Sequence, residues 1–135
     1  MVVGFIGFGE AASSIALGLH KEGIERIVCC DAMQNDERFK EAMENRVDAC
    51  QGQMLENTAE VCRKSDVVIS AVPSNYAVTA AEHALDGIKE GQPFMDVSTA
   101  TPIEKKKISG MVKAKGGLFV DGAMMGALKS EAKRS

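Results

Sequence analysis

The chain has no block of basic residues longer than Lys105-Lys106-Lys107, and its formal net charge is −3 with an isoelectric point near 5.4. It therefore offers no general attraction to phosphate polymers, and nucleic acid is not an expected partner. The lysine run lies among apolar residues spaced for a helix, Ile103, Ile108, Met111 and Val112, and reads as the solvated face of an amphipathic helix. No apolar stretch approaches the roughly 20 residues of a membrane span, and no basic region leads into an apolar run at the start. The expectation is a soluble, cytoplasmic protein with no membrane partner. Four cysteines, Cys29, Cys30, Cys50 and Cys62, lack C-x-x-C spacing and a neighbouring histidine, which excludes a zinc site and a disulfide framework. They read as small buried thiols in a reducing compartment. His20 and His83 fall in predicted helices with no motif around them and are not site candidates.

What is present is the material of one domain: 135 residues, 45% hydrophobic and 26% charged. Val2 to Ile6 is a short apolar run ending at Gly7, and from Glu10 to Glu22 the spacing turns helical, with Gly23 closing the helix. Arg26 to Cys30 forms a second strand that stops on Asp31. A polar stretch from Gln34 to Asn45 reads as helix, Val47 to Cys50 as a short third strand, and Thr58 to Lys64 as another helix. Asp66 to Val72 is continuously apolar, as in a strand buried on both faces of a parallel sheet, and Pro73 ends it. Tyr76 to Ile88 is an alanine-rich helix, and Pro93 to Val97 a fifth strand. Thr101 and Glu104 make a capping box with Pro102 at the first helical position, and Leu118 to Val120 is a sixth strand. Strands and helices alternating at this length predict an α/β domain with a doubly wound parallel sheet of about six strands over residues 1–126, followed by a polar tail over 127–135.

The first turn reads Gly7-Phe8-Gly9-Glu10-Ala11-Ala12, a G-x-G-x-x-A between a strand and a helix. Gly7 permits the tight turn, Gly9 lets the backbone approach a pyrophosphate, and Ala12 lets the helix pack close to the strand. The helix start offers unpaired N–H groups and a positive dipole end to the phosphates. Asp31 stands at the end of the second strand, where this Rossmann-type arrangement places a carboxylate against the adenosine ribose. Such a carboxylate accepts from both ribose hydroxyls and repels a 2′-phosphate, which favours NAD, with NADP still open because Arg38 lies nearby.

Three segments, Gly4-Phe5-Ile6-Gly7-Phe8-Gly9, Ile69-Ser70-Ala71-Val72-Pro73 and Asp96-Val97-Ser98-Thr99-Ala100-Thr101-Pro102, resemble the 3-hydroxyisobutyrate/6-phosphogluconate dehydrogenase-like superfamily of β-hydroxyacid dehydrogenases. The last segment looks like that family's D-x-S-T-x-x-P signature. The resemblance covers about Val2 to Ala127 and implies that Val72, Pro73, Ser98 and Thr99 line the nicotinamide pocket. For Thr99 and Thr101 the competing reading is helix capping. Asp121-Gly122-Ala123-Met124-Met125-Gly126-Ala127 stands where the family has a D-A-P-V-S-G-G segment that holds the substrate carboxylate. Met125 replaces the serine and Ala127 the second glycine, so Met125 and Gly126 are the substrate-side candidates and the substrate need not be hydroxyisobutyrate.

Family members continue into a helical domain whose G-x-G-x-x-x-K-x-x-N helix supplies the proton-transferring lysine, and nothing after Gly126 resembles it. The implied function is the cofactor half of an oxidoreductase that moves hydride to or from a small hydroxyacid-like substrate, with no catalytic residue of its own. Two alternatives remain at this point: a non-catalytic dinucleotide-binding or sensing module, and a pyrroline-5-carboxylate reductase-like enzyme, whose opening Gly4 to Leu19 also resembles. Apolar surface left near the sixth strand is expected to drive self-association as a homo-oligomer.

Overall fold

A computed structural model describes residues 1–123. Its strands are β1 (Val2–Ile6), β2 (Arg26–Cys30), β3 (Gln53–Met54), β4 (Val67–Ser70), β5 (Pro93–Asp96) and β6 (Leu118–Asp121). The helices are α1 (Glu10–Lys21), α2 (Lys40–Ala49), α3 (Thr58–Lys64), α4 (Ala77–Ala84) and α5 (Pro102–Ala114), with 3-10 turns at Ser74–Tyr76 and Leu85–Gly87. All strand pairs are parallel, in the order β3-β2-β1-β4-β5-β6. The order reverses between β1 and β4, and in such sheets the crevice at the carboxyl ends of those two strands is where a ligand sits.

Alternation along β1 sends side chains to both faces. Val3 and Phe5 join Ile27, Cys29 and Ile69 under α1 and α2, where Ala12, Ala16, Met43 and Val47 pack. Val2 and Ile6 join Val28, Cys30, Val68 and Phe94 on the opposite face, under α3, α4 and α5. Small residues allow the helices to lie close: Ala77, Ala80, Ala81 and Ala84 of α4 are all buried. At Gly4 a Cβ would collide with the Ser65 Oγ and lie 2.7 Å from Val61 Cγ1, so the glycine lets the end of α3 rest on β1. Gln92 staples the same corner, its Nε2 donating to the Cys62 carbonyl (2.7 Å) and the Ser65 carbonyl (2.8 Å).

Two sequence expectations are corrected. The third strand is Gln53–Met54 rather than Val47 to Cys50, because Met43, Val47 and Cys50 are buried at spacings of a helix stripe and belong to α2 and its cap. The helix of that stretch begins at Lys40 rather than Gln34. The capping box holds as expected: Glu104 N–H donates to Thr101 Oγ1 (3.2 Å) and Thr101 N–H to Glu104 Oε1 (3.0 Å). The cysteines are free and buried, and burial pushes the thiols of Cys29, Cys30 and Cys62 up to about 12.

In the lysine run of α5, Lys106 and Lys107 are exposed as the solvated face expected, but Lys105 departs from it. Lys105 is buried while Ile103 is 83% exposed, so the inward stripe is Lys105, Ile108 and Val112. On β6, Leu118 and Val120 are exposed, as expected for apolar surface at that edge of the sheet.

Candidate functional site

Gly7 sits at the switch point with φ +86°, a conformation glycine adopts without a Cβ penalty. A Cβ here would lie 2.6 Å from the Ala71 carbonyl oxygen, so the turn and the exit of β4 demand glycine together. The Gly7 N–H donates to the Cys30 carbonyl (2.8 Å) and Ala71 N–H to the Ile6 carbonyl (2.8 Å), which ties the ends of β1, β2 and β4. Gly9 differs. It is the N-cap of α1 with φ −76°, and a Cβ built on it meets no protein atom within 4 Å. Neither backbone strain nor protein packing requires glycine at this position, although glycine caps a helix better than alanine does. The space beside it leaves room for a group to approach the start of the helix from the cleft.

Phe8 contributes only its backbone, because its ring is wholly buried edge-on against Phe5 at 5.8 Å. Its N–H donates to Asp31 Oδ2 (2.7 Å), and Met33 N–H donates to Asp31 Oδ1 (2.8 Å). The carboxylate thus braces the glycine turn against the bend after β2, and each oxygen keeps a lone pair for a further donor. Gln34 completes that bend, accepting from Asp31 N–H (2.8 Å) and donating to the Leu55 carbonyl (2.9 Å). Sequence reasoning missed Gln34; its only signal was its place three residues after the acidic one.

Gly7, Gly9, Asp31, Val72 and Pro73 line one cleft of about 420 Å³ together with Asn75 and Tyr76. It continues into a larger space of about 630 Å³ that shares Gly7, Asp31, Val72 and Tyr76 and reaches Glu56 and Asn57. Five of the sequence candidates therefore come together at the carboxyl ends of β1, β2 and β4. Tyr76, which borders both spaces, was not anticipated. Glu10 and Ala11 are exposed in the first turn of α1, and Ala12 is buried beneath it. Ser98 and Thr99 follow β5 and line neither space; Ser98 is buried, its N–H donating to Asp96 Oδ1 (2.7 Å), and Thr99 is exposed. Met125 and Gly126 lie outside the described residues. Among the described residues no cluster of histidine, cysteine or carboxylate side chains is placed to hold a metal ion.

Residues 2–133 match the NAD binding domain of 6-phosphogluconate dehydrogenase. The chain belongs to that family. Among curated relatives, the mitochondrial 3-hydroxyisobutyrate dehydrogenase of Mus musculus is 30% identical over 130 residues, covering 93% of this chain and 36% of that protein. The 2-(hydroxymethyl)glutarate dehydrogenase of Eubacterium barkeri is 28% identical over 131 residues, covering 94% of this chain and 41% of that protein. A conserved hypothetical protein of Sinorhizobium meliloti 1021 superposes with a TM-score of 0.81 at 30% identity, over 90% of this chain and 40% of that one. The 3-hydroxyisobutyrate dehydrogenase of Mycobacterium tuberculosis shares the fold, with a TM-score of 0.76 at 18% identity over 89% of this chain and 39% of its own. This NAD-binding domain thus spans about two fifths of the length of the proteins it matches, and none of these matches favours either alternative reading.

Proposed function

We propose that the domain holds NAD in preference to NADP, with the pyrophosphate against Gly7 to Ala12 and the adenosine ribose at Asp31. The observation that carries this is the open space above Gly9, beside the cleft shared by Gly7, Asp31, Val72 and Pro73. The start of α1 presents the free N–H groups of its first turn there, favouring an anion. Asp31 accepts from ribose hydroxyls with its remaining lone pairs, and Glu56, Glu82 and Asp86 line the same space and outnumber its one arginine, Arg63, which makes the ribose end acidic and hostile to a 2′-phosphate. Arg38, expected as the counterweight, is exposed and engaged with Asp36 at 2.8 Å.

Bound in this way, the dinucleotide supplies the hydride chemistry while the chain's own residues orient it. By resemblance, Val72, Pro73, Ser98 and Thr99 face the nicotinamide half, and Met125 and Gly126 the substrate. The whole enzyme is then an oxidoreductase acting on a small hydroxyacid-like substrate, its proton-transferring lysine lying outside residues 1–126. The domain's boundary falls at 126, ahead of the polar tail. Four buried thiols suit a reducing compartment, and we place the chain in the cytoplasm; among the described residues no helix is long and apolar enough to cross a membrane. The exposed Leu118 and Val120 support self-association.

Calorimetric titration of the 135-residue chain with NADH and NADPH is the test. Tighter binding of NADH is expected. Binding of neither dinucleotide refutes the cofactor site, and tighter binding of NADPH refutes the role given to Asp31.

A further inference from the structure

Lys105 occupies a costly place. Its side chain is 9% exposed and stands in the first turn of α5, where the helix dipole disfavours a cation. Burying an ammonium is unfavourable unless partners satisfy it, and here it has one backbone acceptor and two carboxylates around it. Nζ lies 3.0 Å from the Asp96 backbone oxygen, 3.6 Å from Asp96 Oδ1 and 3.1 Å from Asp121 Oδ1. The ammonium thus ties together the groups around it.

Those neighbours belong to two different loops at the carboxyl edge of the sheet. Asp96 ends β5 and is 1% exposed, and its Oδ1 accepts the Ser98 N–H at 2.7 Å, folding the start of the Ser98-Thr99 loop. Without a cation beside it, that carboxylate would be buried with no compensating charge. Asp121 ends β6, and its Oδ1 also accepts the Ala123 N–H at 3.1 Å, shaping the start of the segment that follows. That hydrogen bond first, and the one from Lys105 second, hold the Asp121 carboxyl below its usual range. The Asp96 carbonyl that Lys105 contacts also accepts the Gly122 N–H at 2.8 Å, so one cation meets both loops where they touch.

We propose that Lys105 is the positioning residue of the nicotinamide half of the site: its ammonium clamps the Ser98-Thr99 loop to the turn over residues 121–123. This rests on the dinucleotide reading above. The clamp touches nothing on the adenosine side, because Gly7, Gly9 and Asp31 are held by β1, β2 and β4. Its removal should therefore separate the two halves of the ligand.

The test titrates the 135-residue chain and its Lys105→Met, Lys105→Arg and Asp121→Asn variants with NADH and with ADP-ribose, which lacks the nicotinamide, and measures the thermal midpoint of each. The unmutated chain should bind NADH more tightly than ADP-ribose. In Lys105→Met, NADH should weaken by about tenfold, the scale of one charge-assisted contact, with ADP-ribose changed by less than about twofold. Lys105→Arg should recover part of the difference. If Lys105→Met does not fold, Asp121→Asn decides: Asp121 is half exposed and its change leaves the Lys105–Asp96 pair in place, so NADH alone should weaken, by about threefold. A ratio of NADH to ADP-ribose affinity that is unity in the unmutated chain, or that survives in the folded variants while only the midpoint drops, overturns the proposal. Binding of neither ligand by the unmutated chain refutes instead the dinucleotide site on which it stands.

Discussion

Gly7 and Gly9 are two residues apart in one motif, yet alanine should act on them in opposite ways. At Gly9 the backbone has φ −76° and ψ −164°, an extended conformation open to any residue, and a Cβ there has nothing within 4 Å. Alanine stabilises such a site by about 0.4–1 kcal/mol through the unfolded chain. Against this, alanine is a poorer N-cap than glycine by several tenths of a kcal/mol. The two terms nearly cancel, so Gly9→Ala should leave stability within about 1 kcal/mol of the parent. At Gly7 the left-handed φ of +86° costs alanine about 1–2 kcal/mol. The Cβ placed 2.6 Å from the Ala71 carbonyl oxygen forces a backbone shift as well, for a total of about 3 kcal/mol or more. Denaturant unfolding followed by circular dichroism reads these differences, and NADH titration reads the other half. There Gly9→Ala should lose at least about tenfold in affinity, about 1.4 kcal/mol, because its methyl fills the space the pyrophosphate needs. Full NADH affinity in a folded Gly9→Ala chain would refute the phosphate role. A large loss of stability in that variant would refute the claim that the space above Gly9 is open.

Asp31→Asn should narrow the preference for NADH over NADPH by about 1–3 kcal/mol, measured by parallel titrations. It should also lower stability, since an amide nitrogen would then face one of the two N–H groups, of Phe8 or Met33, that the carboxylate now accepts. Gln92→Leu removes the donors to the Cys62 and Ser65 carbonyls and should cost about 2–4 kcal/mol on unfolding, with NADH affinity unchanged because Gln92 lies away from the cleft. The thiols of Cys29, Cys30 and Cys62, raised to about 12 by burial, stay protonated in the folded chain as pH rises past the ordinary thiol range. The unfolded chain releases those protons first, so stability should fall between pH 9 and about 12, by up to roughly 1.4 kcal/mol per pH unit for each thiol. Stability that is flat or rising over that window would contradict it, and a thiol reagent at pH 8 should react only as fast as the chain opens.

Local signals in the chain were enough for the strand-turn-helix at Gly7 to Ala12, the buried run of β4 and the capping box at Thr101 and Glu104, because each depends on neighbours within a few residues. Asp31 was legible as an acid at a strand end, but not as the brace that takes the Phe8 N–H from 23 positions away. The third strand was misplaced because Val47 and Cys50 are apolar in either reading, and only packing against β2 showed that they share a helix stripe with Met43. Lys105 shows the difference most plainly. By its type and its lysine neighbours it belongs on a solvated face, and Ile103 belongs inside. The tertiary structure reverses the two, because the parallel register sets Asp96 beside Asp121 and brings two carboxylates to the start of α5. Burying a cation between them costs less than leaving Asp96 buried and uncompensated. That balance depends on residues 9 and 16 positions away in sequence, and no local pattern encodes it.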